Sequence, residues 1–184
     1  GSGKTTTLYA ILNAMKNSEN KVITLEDPVE YNINGVTQSQ ISESSGYTFA
    51  GGLRTVLRQD PDIVMLGEIR DLETAETASQ ASLTGHVLLS TLHTNSAIET
   101  IPRLINMGLP PFMVAPALDT IIAQRLVRKV CEHCRTMEPL ADCEKKEFQA
   151  IMDNLKNVNP SAVVDIPEKI AKAKGCSKCS NTGY

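Results

Sequence analysis

Two groups of residues in this sequence have the types and spacing to do chemistry. The first begins at Gly3-Lys4-Thr5, which reads as the end of a phosphate-binding loop of the form G-x-x-x-x-G-K-[ST]. In such a loop, backbone N–H groups and the N-terminus of the next helix make a cradle for an anion. Lys4 would add a positive charge beside the β- and γ-phosphates, and Thr5 would offer its hydroxyl to Mg²⁺. Three short apolar runs then end in groups that could act on a bound phosphate. Glu26 and Asp27 close "VITLED", Glu68 closes "DIVMLGE", and His93 closes "HVLLSTLH". A carboxylate at the tip of a buried strand can hold Mg²⁺ through water or orient an attacking water. Glu26 and Glu68 both qualify, and the residues alone do not divide the labour between them. Asp27 is also suited to capping the turn before Pro28. His93 is placed as a sensor of the γ-phosphate, whereas His86, after the Gly85 turn, reads as a hydrogen-bonded structural residue. If one regular strand ran from 86 to 93, the two imidazoles would face opposite sides of the sheet. Each reading has a plainer rival: a helix that merely begins GKT, a solvated acid at a strand end, a structural histidine.

The second group is sulfur. Cys131-x-x-Cys134 and Cys176-x-x-Cys179 supply four thiolates in two knuckles, enough to satisfy tetrahedral Zn²⁺. A full thiolate shell leaves no open coordination position, so the expected role is structural. Residues 135–175 separate the knuckles and are expected to fold as a small helical insertion. Cys143 and His133 remain as spares.

These groups need a frame that brings them together. Leu8, Ile11, Leu12 and Met15 recur at helical spacing over residues 5–16, directly after the loop. The runs at 21–27, 62–68 and 86–93 are nearly continuous in apolar residues, which suits strands buried on both faces of a parallel sheet. "FAGGLRTVLRQ" and "LETAETASQAS" read as helices between them. The alternation predicts an α/β domain with a mainly parallel sheet, and its ligand crevice lies at the C-terminal strand ends. After residue 94 the apolar spacing turns helical through "AIETIPRLINMG" and "PPFMVAPALDTIIAQRLVRKV". The predicted organisation is a core over 1–130 and a tetracysteine subdomain over 131–184. Arg54, Arg58 and Arg70 surround the Asp60-Pro61-Asp62 turn. Each reads as a partner in a surface salt bridge, or, in a ring of subunits, as a group reaching a neighbour's phosphates or acids.

Composition narrows the function classes. The 184 residues carry 18 Lys and Arg against 21 Asp and Glu, for a formal charge of −3. A nucleic acid as main partner calls for a basic stripe, which this balance does not supply. Aromatic residues are 4% of the chain and Trp is absent, so the core must rest on aliphatic side chains. No apolar run approaches the ~18 to 20 residues that cross a bilayer. Paired cysteines beside a nucleotide-type loop point to a reducing compartment and metal, not disulfides.

At the level of whole boxes, "VITLEDPVEY", "TFAGGLRTVLRQDPDIVMLGEIRD", "TGHVLLSTLHTNSA" and "IIAQRLVRKVCEHC" resemble the successive signatures of the type II/type IV secretion ATPase superfamily. The similarity is greatest to type IV pilus assembly and type II secretion ATPases and covers essentially the whole chain. The tetracysteine element followed by "NTGY" resembles those two branches. The resemblance implies a RecA-like P-loop NTPase core that assembles as a hexamer, binds ATP between subunits, and converts hydrolysis into domain motion. It implies that Gly1, Ser2, Gly3, Lys4, Thr5 and Thr6 belong to the Walker A loop, with Thr5 on magnesium. Glu26 and Asp27 then belong to the Asp box, Glu68 is the Walker B acid contacting the nucleotide site, with Gly67 before it normal for the family, and His86 and His93 belong to the His box. Glu26, Glu68 and His93 are the expected catalytic residues. Cys131, Cys134, Cys176 and Cys179 are the expected zinc ligands.

The implied cofactors are ATP, Mg²⁺ and Zn²⁺. The implied setting is cytoplasmic, peripheral to the inner membrane, on a platform protein that handles pilin or pseudopilin subunits, with no nucleic acid. Two rival functions are a conjugation-type secretion ATPase or RecA-like nucleic-acid motor, and a zinc-dependent docking module. Relative to the resembled family, the loop start, the strand feeding it and a preceding arginine-bearing domain are expected to be missing. These 184 residues alone are accordingly expected to be marginally stable and inactive toward ATP.

Overall fold

The computed structural model describes residues 2–158 and 165–184. They fall into two compact units, one ending at Leu126 and the other beginning at Val127.

The first unit is built on a parallel sheet. β1 (Val22–Glu26) and β3 (Ile63–Leu66) are buried at every position, as expected of strands covered on both faces. β2 (Thr37–Gln40) adds to the free side of β1, and β4 (Val87–Leu89) to the free side of β3, giving the order β2-β1-β3-β4. All three pairings are parallel. α1 (Lys4–Met15) covers one face, where Leu8, Tyr9 and Leu12 pack with Val22, Ile63 and Met65. α2 (Phe49–Leu57), α3 (Leu72–Leu83) and α5 (Pro111–Ala117) cover the other. There Phe49, Leu53, Ala75, Ala78 and Val114 pack with Ile23, Leu25, Val64 and Leu66. α4 (Thr100–Asn106) contributes Leu104 to that second core. The sheet is thus a mixed α/β arrangement whose parallel strands all present their C-terminal ends on one edge.

Local chemistry sets where the elements begin. The Thr48 hydroxyl accepts from Gly51 N–H at 3.1 Å and opens α2; the Asp71 carboxylate accepts from Thr74 N–H at 2.8 Å and opens α3. α1 differs. It starts from Gly3 at φ 84, a left-handed conformation that glycine adopts without strain, and no side chain caps it. Its first N–H groups are left for another partner.

The structure departs from the sequence reading in four places. β2 was not expected, because "TQSQ" is polar; it forms as an edge strand whose ends are exposed. β4 stops at Leu89, so no regular strand reaches His93 and counting faces from His86 to His93 does not apply. Residues 118–130 have no regular secondary structure, although their apolar spacing is helical. Pro116 lies inside α5, and Ile122, Leu126 and Val127 are exposed, so no buried face sustains a helix there. The region between the cysteine pairs contains the expected helix, α6 (Asp142–Val158), and also an antiparallel pair, β5 (Thr136–Pro139) with β6 (Lys169–Lys172). Among the described residues no helix is long and apolar enough to cross a membrane.

Candidate functional site

A cavity of about 530 Å³ opens at the C-terminal edge of the sheet. Its walls include Ser2, Gly3, Lys4, Thr5 and Thr6 from the loop and α1, Glu26 from the end of β1, Gly67 and Glu68 beyond β3, and His93 beyond β4. The phosphate-loop residues, both candidate acids and the candidate sensor therefore share one space. Gly1 lies outside the described residues. Lys4 and His93 also border a second hollow of about 440 Å³ that contains Arg103 and Glu99.

The two acids sit in different surroundings. Glu26 is 2% exposed and comes from the same sheet face as Val22 and Thr24. Its Oε1 accepts from Thr24 Oγ1 at 2.5 Å and from Gln38 Nε2 at 3.0 Å. Its Oε2 accepts from the buried Tyr9 hydroxyl on α1. Burial, and then the bond to Glu26, push the Tyr9 phenol up to about 12, so it stays a donor. Glu68 is more open. Its Oε1 takes a hydrogen bond from the Arg70 guanidinium at 2.5 Å, and His93 Nε2 lies 3.1 Å from Oε2. The Arg70 hydrogen bond is the main influence holding the Glu68 carboxyl below the usual carboxylate range, against desolvation and with help from His93. Arg70 also stands 3.8 Å from Asp27, linking the ends of β1 and β3.

The histidines separate. His93 joins Glu68 at the cavity, while His86 Nδ1 lies 3.1 Å from both the Ala81 carbonyl and the Thr84 hydroxyl at the end of α3. Arg54 pairs with Glu73 at 2.8 Å on an exposed surface.

The second unit holds the sulfur cluster. Cys131, Cys134, Cys176 and Cys179 bring their Sγ atoms within 4.8 Å of one another, a group that could hold a metal ion. Two of the separations are 3.9 Å (Cys134 to Cys179) and 3.8 Å (Cys176 to Cys179). A tetrahedron with metal–sulfur bonds of ~2.3 Å has sulfurs ~3.8 Å apart, so the spacing fits zinc. Each knuckle is folded by its own backbone: Arg135 N–H donates to Cys131 O at 3.0 Å, and Asn181 N–H donates to Cys176 O at 2.8 Å. Cys131 N–H donates to Gly183 O at 2.9 Å and ties the knuckles together. Close approach demands glycine there. Gly175 and Gly183 both have positive φ, and a Cβ would meet Asn181 O at 2.7 Å and Ala173 Cβ at 2.6 Å, respectively. The N–H groups of Cys176 and Gly183 point at the Cys179 sulfur and pull its thiol down to about 6. Cys143 is exposed on α6, outside the cluster.

Three residues that hold the cavity's acids escaped the sequence reading in whole or part: Tyr9 lines the cavity itself, while Gln38 and Arg70 bond to Glu26 and Glu68. Tyr9 carries a signal only as an aromatic on a helix, and Gln38 none, since its strand was not expected. Arg70, expected as a surface salt-bridge partner or as a group reaching a neighbour, pairs with Glu68 and Asp27.

Comparison with known proteins gives one consistent result. The family model described as "Type II/IV secretion system protein" matches residues 1–184. The type II secretion system ATPase E of Vibrio cholerae is 49% identical over 185 residues, covering 100% of this chain and 34% of that protein. The type IV pilus assembly ATPase PilB of Myxococcus xanthus is 46% identical over 184 residues, covering 100% of this chain and 31% of that protein. This chain thus spans about a third of the length of these relatives. Among solved structures, the pilus retraction motor PilT with bound ADP superimposes with a TM-score of 0.62 at 27% identity, covering 90% of this chain and 56% of that one. The Legionella pneumophila ATPase DotB does so with a TM-score of 0.52 at 36% identity, over 62% of this chain and 33% of that one.

Proposed function

Because the chain belongs to the type II/IV secretion system protein family, we propose that it is the nucleotide-hydrolysing part of a motor for type IV pilus assembly or type II protein secretion. The observation that carries this reading is the convergence of Lys4, Glu26, Glu68 and His93 on one cavity beside the uncapped start of α1. ATP is the substrate. The free N–H groups of Gly3 to Thr6 and the Lys4 ammonium would take the phosphates. Glu68, ionised and only partly buried, orients the attacking water, and His93 beside it reads the γ-phosphate. Glu26 lines the same cavity with its carboxyl group from the end of β1. Thr5, with Glu68 through water, would hold magnesium, which when bound neutralises phosphate charge.

The same reading extends to a RecA-like core working in a hexamer, with arginines from neighbouring chains or domains completing each site. It also extends to a cytoplasmic position at the inner membrane, on a platform protein that handles pilin or pseudopilin subunits. Cys131, Cys134, Cys176 and Cys179 would hold zinc as a closed structural shell. The direct test is release of inorganic phosphate from Mg-ATP by the full-length protein. Sustained release is expected; nucleotide bound without any release, or no nucleotide bound at all, would overturn the reading.

A pH prediction follows from the Glu68 surroundings. Arg70 favours the ionised carboxylate, so Glu68 keeps its charge at lower pH than an ordinary carboxyl would. Replacing Arg70→Gln removes that influence and raises the Glu68 pKa. Since the water-orienting form is the charged one, the acid limb of the kcat–pH profile should move to higher pH. An acid limb that stays in place would detach Glu68 from the rate.

A further inference from the structure

We propose that Tyr9 is a positioning residue that aims the freer oxygen of Glu26 into the nucleotide cavity and couples it to the phosphate-binding end of α1. The inference rests on the reading of the cavity as an ATP site. It begins from how the Glu26 carboxylate is occupied. A carboxylate offers about four acceptor positions, two on each oxygen. Oε1 already receives Thr24 and Gln38, whereas Tyr9 is the one described donor to Oε2. The remaining acceptor capacity of this buried acid therefore lies on Oε2, and the phenol is the donor that holds that oxygen as Thr24 and Gln38 hold Oε1.

The phenol is itself held. Its oxygen accepts a weak hydrogen bond from Glu30 N–H at 3.4 Å. Its ring meets Tyr31 edge-on, with centroids 4.7 Å apart and planes at 82°. The residue is 1% exposed, so its hydroxyl has no access to bulk water as an alternative partner. Tyr9 also lies on α1, whose first residue is Lys4. Tyr9 therefore joins the helix that begins at Lys4 directly to the Oε2 atom. In this way one side chain links phosphate binding to the geometry at the end of β1.

Tyr9→Phe tests this cleanly, because it keeps the ring, its volume and its contact with Tyr31 while deleting the O–H. In the full-length protein, kcat should fall about 10- to 100-fold, the scale of a misplaced catalytic group. KM for Mg-ATP should stay within about 2-fold, since the interaction matters to the reacting geometry and not to ground-state binding. Glu26→Gln should lower kcat at least as much, and the double variant should lose nothing beyond Glu26→Gln alone, the signature of residues acting as one unit. The melting temperature is read alongside, to show that all variants are folded. A Tyr9→Phe kcat within about 2-fold of the parent would overturn the proposal, as would independent losses that multiply in the double variant. A silent Glu26→Gln would overturn the assignment of Glu26 itself and the proposal with it, whereas a silent Tyr9→Phe beside an impaired Glu26→Gln removes the proposal alone.

Discussion

Glu68→Gln in the full-length protein is expected to leave Mg-ATP bound and to lower kcat on the order of 10²- to 10⁴-fold, the range for loss of a positioned acid or base. The cause is the change from a charged acceptor to a neutral amide that still fills the space. The amide cannot draw a proton from water. It also loses the charge-assisted bond with Arg70, which spans 2.5 Å in the parent. The direct ground-state contacts with the phosphates lie on the loop and α1, and Glu68 reaches magnesium only through water, so binding largely survives. Lys4→Ala should show the opposite split. Its charge is used in binding as well as in the transition state, and each charge-assisted hydrogen bond contributes roughly 1.5–3 kcal/mol. Loss of affinity for Mg-ATP by about 10- to 100-fold is the expected result, read by titration with a fluorescent nucleotide. The pair of variants separates two roles that one cavity otherwise merges. Equal effects of both substitutions on binding and on turnover would mean that Glu68 is part of the phosphate cradle and that the attacking water is oriented by another group.

The convergence behind that prediction was legible in the sequence because β1 and β3 are apolar runs that end in acids. Once both runs are buried parallel strands, Glu26 and Glu68 have to emerge at the same edge, where a loop leading into a helix places Lys4. The placement needed only period and order. What escaped was whatever depends on a tertiary partner. Nothing local says that Tyr9 reaches Glu26, because the bond crosses from a helix to a strand. Gln38 sits on a strand whose polar residues carry no alternation, and it forms because the open side of β1 accepts its backbone. Residues 118–130 failed for the reverse reason. Their apolar spacing is real, but Ile122, Leu126 and Val127 have no surface within their units to bury against, and periodicity without burial does not sustain a helix. The cysteine cluster was legible as a set of ligands, since four thiols in two knuckles leave little choice. The β5–β6 pair beside it was not, because "TMEP" and "KIAK" carry a single β-branched residue each, among Pro, Glu, Lys and Ala that strands disfavour.

Removal of metal should unfold the second unit and leave the first folded. The reason lies in what each unit has to hold it together. The first unit buries two aliphatic clusters on the two faces of its sheet. Among the described residues from Val127 onward, the buried hydrophobic side chains are Leu140 and Met152. Two such side chains are a small core for a segment of this length, and units with so little buried apolar surface depend on a metal or another cross-link. α6 does not help much, since Ile151, Leu155 and Val158 on it are exposed. Zinc held by the four thiolates would add folding free energy on the order of 10 kcal/mol, because the site does not exist in the unfolded chain. A strong chelator should therefore abolish amide-exchange protection in β5, α6 and β6 while protection in β1 and β3 persists, and Cys131→Ser or Cys176→Ser should do the same. Metal analysis should find one zinc per chain before treatment. Acid should mimic the chelator, because protons compete with the metal for the sulfurs. Protection in β5 and β6 that survives complete metal removal would show that the second unit is held by its own packing, and the sulfur cluster would lose its structural role.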